Sequence, residues 1–94
     1  MTPLAQYRAL RLSHCGRYVV TNDAHPYLYT ISEALAWQRR AEADGARYEA
    51  DADRFEAQGR TFDADLARGM ASINLTTAAE LAEVLAGAQM ERAA

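Results

Sequence analysis

Between Trp37 and Ile73 the apolar residues return at helical spacing. Trp37, Ala41, Tyr48, Ala52, Phe55, Gly59, Phe62, Leu66, Met70 and Ile73 fall within roughly an 80° arc at about 100° per residue. A strand has no such period, so the middle of the chain reads as helix. Thr30-Ile31-Ser32-Glu33 forms a capping-box pattern and places the helix start there. A single rod from Ile31 to Ile73 would be about 64 Å long, several times the girth of a domain of 94 residues. Either a partner chain covers the stripe, or the helix breaks near Gly59 and folds back as a hairpin. Glycine in a helix interior costs up to about 1 kcal/mol, so a break there is inexpensive, while the unbroken phase of the stripe favours one rod.

The same stretch is a tandem repeat. Residues 41–54 (AEADGARYEADADR) align with 55–68 (FEAQGRTFDADLAR): Glu42 matches Glu56, Gly45 matches Gly59, Tyr48 matches Phe62, Asp51 matches Asp65 and Arg54 matches Arg68. On one helix an offset of 14 residues leaves matched positions within about 40° of each other. The two copies are therefore expected to face the same surroundings. Bulky rings alternating with Ala or Gly let a second helix approach closely. The expectation is a homodimer seam through Trp37, Tyr48, Ala52, Phe55, Gly59, Phe62 and Leu66. Along one flank of the stripe run Glu42, Glu49, Asp53, Glu56 and Asp63, interrupted by Arg60; Arg40, Arg47, Asp51, Arg54 and Asp65 line the other. A second strip, Ala43, Ala46, Ala50, Ala57 and Ala64, offers a surface for a further helix.

The Asp-x-Asp pairs Asp51/Asp53 and Asp63/Asp65 resemble a cation site only on paper. On a helix each pair diverges by about 200°. Phe55 also breaks the alternate oxygen ligands of an EF-hand loop, and no glycine follows at the sixth position. No metal and no cofactor is expected.

Towards the N-terminus, residues 7–31 are rich in Tyr, Val, Leu and Ile and are interrupted at Gly16 and at Asn22-Asp23-Ala24-His25-Pro26. They read as a short β-meander over about 7–30. Thr2-Pro3 as a helix start and Gly16 as a stop support a competing helix over 3–13, and with it an all-α chain. After the long helix, Thr77-Ala78-Ala79-Glu80 forms a second capping box. It opens a helix over about 78–90 that carries Leu81, Val84, Leu85 and Ala88 on one face, with the preceding SINLTT as connection. The chain is thus read as one small α+β domain over 1–94, dominated by helix.

Half of the residues are apolar, but alanine supplies much of that share. A core so poor in volume gains from burial against a partner. Net charge is −3, unevenly spread. Residues 1–40 hold five Arg against Asp23 and Glu33, whereas 41–65 hold eight acids against three Arg, or about +3 followed by −5. All ten basic residues are Arg, which reads as genome composition. Cys15 is the single cysteine, which excludes an internal disulfide and a Cys-x-x-Cys knuckle. The N-terminal residues lack the basic flank and apolar run of a signal peptide, and no stretch approaches the roughly 18 apolar residues of a membrane span. A cytoplasmic setting is expected.

His14, Cys15 and His25 have no paired spacing for zinc. Cys15 beside His14 names no third group to orient a base, and strand alternation turns the two apart. Gly-rich phosphate loops, Gly-x-Ser-x-Gly and His-Glu-x-x-His are absent from the sequence, so no enzyme is expected. Nucleic acid is the competing partner: Arg8, Arg11, Arg17, Arg39 and Arg40, with Tyr18, Tyr27 and Tyr29, supply phosphate donors and stacking rings. The favoured expectation is a protein-interaction module, a small adaptor or inhibitor. Its acids at Glu42, Glu49, Asp53, Glu56 and Asp63 would dock on a basic surface of a larger, nucleic-acid-handling complex. Short motif-free chains of this type also occur among accessory proteins of phages and mobile elements.

Overall fold

The computed structural model describes residues 10–21 and 26–93, with side chains through Ala88. Strands β1 (Leu10–Leu12), β2 (Tyr18–Thr21) and β3 (Leu28–Thr30) form an antiparallel sheet in the order β1-β2-β3. Two long helices come next, α1 (Ile31–Ala57) and α2 (Thr61–Ala93). The chain is a helix-dominated α+β fold, and the all-α alternative fails at Leu10–Leu12, which pairs with β2 where a helix over 3–13 would run. Arg8, His25, the Thr2-Pro3 start and the rest of the turn at 22–25 lie outside the described residues.

The meander arises from its residue types. Tyr18-Val19-Val20-Thr21 suits a half-buried pleated surface. The register sets Leu12 opposite Val19 and Val19 opposite Tyr29, so Leu10, Leu12, Val19 and Tyr29 share one face. Between β1 and β2, Gly16 adopts φ 73° and donates its N–H to the Ser13 carbonyl at 2.9 Å. β3 runs directly into α1. Thr30 is both the last strand residue and the helix cap: its hydroxyl accepts from the Glu33 N–H at 3.1 Å, and the Glu33 carboxylate accepts from the Thr30 N–H at 3.0 Å. Those bonds hold the Glu33 carboxyl below its ordinary range. A depressed pKa means the cap's contribution is present at neutral pH and is lost as pH falls through that range.

The long helical region is a hairpin that turns at Gly59, the second of the two expected arrangements, and not the single rod that the phase of the stripe favoured. At the end of α1 the Gly59 N–H donates to the Glu56 carbonyl (3.0 Å) and the Arg60 N–H to the Phe55 carbonyl (2.9 Å), while Gly59 sits at φ 73°. This pair of bonds is a Schellman stop, which requires a left-handed residue that glycine adopts without strain. The repeat therefore does not lie on one helix, and its copies do not share surroundings.

One correction concerns SINLTT, residues 72–77. They form no connection between two helices; α2 runs unbroken from Thr61 to Ala93. Thr77 is not a cap: its hydroxyl donates to the Ile73 carbonyl one turn back at 3.0 Å, and Asn74 Nδ2 likewise donates to Met70 O at 2.8 Å. Polar groups that signal a start when the chain arrives extended are absorbed by the preceding turn when the helix is already formed. Burial of Ala71, Ala78 and Leu81 around this stretch ties it to the rest of the fold.

The helices meet through small side chains: Ala34, Ala41, Gly45 and Ala52 from α1, and Ala64, Ala67, Ala71 and Ala78 from α2, are all buried. At Gly45 a Cβ would lie 2.7 Å from Leu75 Cγ and Cδ2 and 3.6 Å from the Ala71 carbonyl oxygen, so any larger residue there requires the Leu75 side chain to shift. The expected alanine strip is not this seam, because Ala43, Ala46, Ala50 and Ala57 are exposed and only Ala64 packs inward. Larger side chains gather at the open end of the hairpin. There Val19, Ala34, Leu81 and Leu85 form a core joined by Leu10, Tyr29, Ile31, Trp37 and Val84, with the Tyr29 and Trp37 rings 5.1 Å apart. The sheet caps one end of the hairpin, and the turn at the other end stands free.

Candidate acidic docking groove

Ala34, Ala41, Gly45 and Ala52 mark the side of α1 that faces α2. Measured from that side, Glu42, Glu49, Asp53 and Glu56 lie about 40 to 100° round one way and Trp37, Tyr48 and Phe55 about 40 to 60° round the other. The four acids are exposed and form a ladder along one edge of the hairpin. Asp63 does not join them: it sits on α2 beyond the turn, where its carboxylate accepts from Arg60 at 2.8 Å.

Beneath the ladder lies a groove of about 670 Å³. Glu49 and Asp53 wall it on the α1 side; Ala71, Leu75 and Ala79 supply apolar lining, and Ser72 and Thr76 bring hydroxyls from α2. Arg68 closes one end, reaching across from α2 to pair with Glu56 and, at 3.8 Å, with Asp53. Glu42 accepts from Gln38 Nε2 at 3.0 Å on its own helix. The groove thus has a carboxylate rim with one guanidinium, an aliphatic lining and two hydroxyls. Arg68, Ser72, Leu75, Thr76 and Ala79 were not legible as site residues on a straight helix. The missing signal is antiparallel arithmetic: Asp53 opposite Arg68 and Gly45 opposite Leu75 both pair about residue 60.

The seam residues part company at the turn. Trp37 is half-buried against Tyr29. Tyr48 is half-buried under Arg47, whose guanidinium lies 5.2 Å from the ring centre. Ala52 is fully buried within the hairpin. Phe55 lies under Arg60 at 4.5 Å and Arg54 at 5.6 Å, and Gly59 makes the turn. Phe62 and Leu66, on α2, are 79% and 60% exposed. One stripe on a rod becomes an inner set on α1 and an outer set on α2.

The residues expected to meet nucleic acid lie, where they are described, on the sheet, the β1–β2 turn and α1. Arg11 pairs opposite Val20 and Tyr18 lies two residues from Val20, so both occupy the outer sheet face. Arg17 is exposed in the preceding turn, whereas Tyr29 belongs to the core. Arg39 and Arg40 are exposed on α1, about 100° apart round the helix. Cys15 and His14 lie in the β1–β2 turn, so strand alternation is not what separates them. Cys15 is exposed, and hydrogen bonds from the Ser13 hydroxyl (3.3 Å) and the Arg17 backbone hold its thiol below the ordinary value. Among the described residues no group of three His, Cys, Asp or Glu side chains converges as metal ligands, and no helix is long and apolar enough to cross a membrane. No protein-family model, curated protein or solved structure matches the chain.

Proposed function

We propose that the chain is a non-enzymatic protein-interaction module of the cytoplasm, an adaptor or inhibitor whose acid-rimmed groove receives a basic segment of a larger protein. The observation that carries this is the ladder of Glu42, Glu49, Asp53 and Glu56, exposed along one edge and, among the described residues, ion-paired with Arg68 alone. Four carboxylates against one guanidinium leave a negative field over a groove whose apolar lining suits the methylene stem of Arg or Lys. Such a field accelerates encounter with a cationic surface and disfavours acidic partners. A protein surface shaped to hold nucleic acid offers the matching charge. A second reading, nucleic acid itself, rests on Arg11 and Tyr18 sharing the outer sheet face.

One titration separates the two. Fluorescence anisotropy tracks a labelled Arg-bearing helical peptide and a labelled oligonucleotide, each against wild type and against Glu49→Lys/Asp53→Lys/Glu56→Lys. The expected outcome is peptide binding that weakens with salt and is lost in the triple variant, whose circular dichroism is unchanged. Oligonucleotide binding that is lost instead in Arg11→Glu/Arg17→Glu replaces the proposal with the second reading.

A further inference from the structure

On the side of α2 turned away from α1, Phe62, Leu66, Met70 and Ile73 recur at spacings of four, four and three residues, exposed by 79%, 60%, 37% and 39%. Gly69 lies in the same arc. A Cβ there would meet nothing within 4 Å, and its φ is not positive. Gly69 therefore serves neither purpose that explains Gly45 and Gly59: among the described residues nothing approaches it, and the backbone does not turn there; Gly87, further along α2, is like it in both respects. Glycine at an exposed mid-helix position lowers helix stability by about 1 kcal/mol relative to alanine, and a notch in an apolar stripe is the feature that admits a second helix.

We infer that this stripe is the seam of a two-fold homodimer in which α2 packs antiparallel on α2 of a second copy, with Leu66 of each chain seated over Gly69 of the other. The register is self-consistent: pairing position 66 with 69 also pairs 62 with 73, so each end of the stripe finds the opposite end. That reciprocity is what a two-fold interface demands. The area also fits. The four side chains offer roughly 400 Å² of apolar surface, close to the apolar share, a little over half, of the roughly 800 Å² that each partner gives to a standard interface. The other long edge is unsuited, since the Glu42–Glu56 ladder apposed to its own copy sets carboxylate against carboxylate. The expected aromatic seam is thereby revised. Phe62 and Leu66 remain in it, whereas Trp37, Tyr48, Ala52 and Phe55 are committed within the chain.

The inference is independent of the docking groove, and light scattering coupled to size exclusion tests it. Wild type is expected at twice the 10.4 kDa chain mass. Gly69→Leu fills the notch while improving helix propensity, so it should melt no lower than wild type at high dilution yet raise the dimer dissociation constant by about 30-fold or more. Phe62→Asp, at the second residue of α2 where a carboxylate favours the helix N-terminus, should likewise be folded and monomeric. A monomeric wild type at sub-millimolar concentration, or either variant folded and still dimeric, overturns the seam. Glu49→Lys/Asp53→Lys/Glu56→Lys should remain dimeric, so loss of the groove's partner and loss of the dimer are read apart.

Discussion

Gly45 and Gly59 occupy the same place in the two copies of the repeat, one in the middle of α1 and the other at its end. At Gly45 the helix continues, and the missing side chain makes room for Leu75 and the Ala71 carbonyl of α2. At Gly59 there is room to spare, with nothing within 4 Å of an added Cβ, and the backbone itself is the reason, at φ 73°. Identical residues in near-identical contexts thus meet different requirements, one steric across a helix pair and one conformational along the chain. A fold that places its turn in the second copy makes the first copy the wall against which the chain folds back.

The steric requirement carries the larger predicted effect. Gly45→Leu places a branched side chain where even a Cβ lies 2.7 Å from Leu75. Leu75 must give way and two branched side chains then crowd a seam made of alanine; overpacking of this kind costs about 1 to 3 kcal/mol. Chemical denaturation should show that loss, with the turn end of the hairpin exchanging its amide hydrogens first. If Gly45→Leu melts with wild type, the close approach is not a determinant of the fold and the contrast between the glycines collapses.

The conformational requirement is smaller. Gly59→Ala keeps the Schellman bonds but forces an L-residue into the left-handed region, which costs about 1 kcal/mol. Gly59→Asn should recover part of that loss, since asparagine tolerates the same region. Equal losses for Ala and Asn would move the cause away from backbone strain.

The contrast also explains what could be read in advance. The capping box at Thr30 is local, satisfied by groups three residues apart, and the structure forms it with both bonds. The meander carries its own signal in Tyr18-Val19-Val20-Thr21 and Gly16. Helical periodicity through Phe62, Leu66, Met70 and Ile73 is likewise local and correct within α2. It misled only across residue 59, because a helical wheel assumes an unbroken axis, and phase continuity across a reversal is accidental. Thr77 and Glu80 failed for the opposite reason. The pattern of a helix start was present, but a helix already packed through Ala71 and Ala78 ran through it. The groove was half legible. Glu49 and Asp53 are one helix face, whereas Arg68, Ser72 and Thr76 join them only by chain reversal.

The matched arginines provide the finest test. Arg54 reaches Asp51 at 2.8 Å within α1, a pair the helix creates by itself. Arg68 reaches Glu56 and Asp53, pairs that exist only when the hairpin is closed. All five side chains are at least partly exposed, so solvent and salt screen both sets, and each coupling should lie below about 1 kcal/mol. Their behaviour during unfolding should nonetheless differ. In a double-mutant cycle, the Arg54–Asp51 coupling is expected to be partly retained in an isolated peptide covering α1. The Arg68–Glu56 coupling is expected only in the full chain, and it should fade as salt rises. Breaking Arg68–Glu56 frees Glu56 and Asp53 of their counter-charge and makes the groove more negative. Arg68→Ala should therefore tighten binding of a cationic peptide while slightly lowering stability. An Arg68→Ala variant that binds such a peptide more weakly would mean that Arg68 contacts the ligand directly, and the rim would then be a mixed-charge site and not an acidic one.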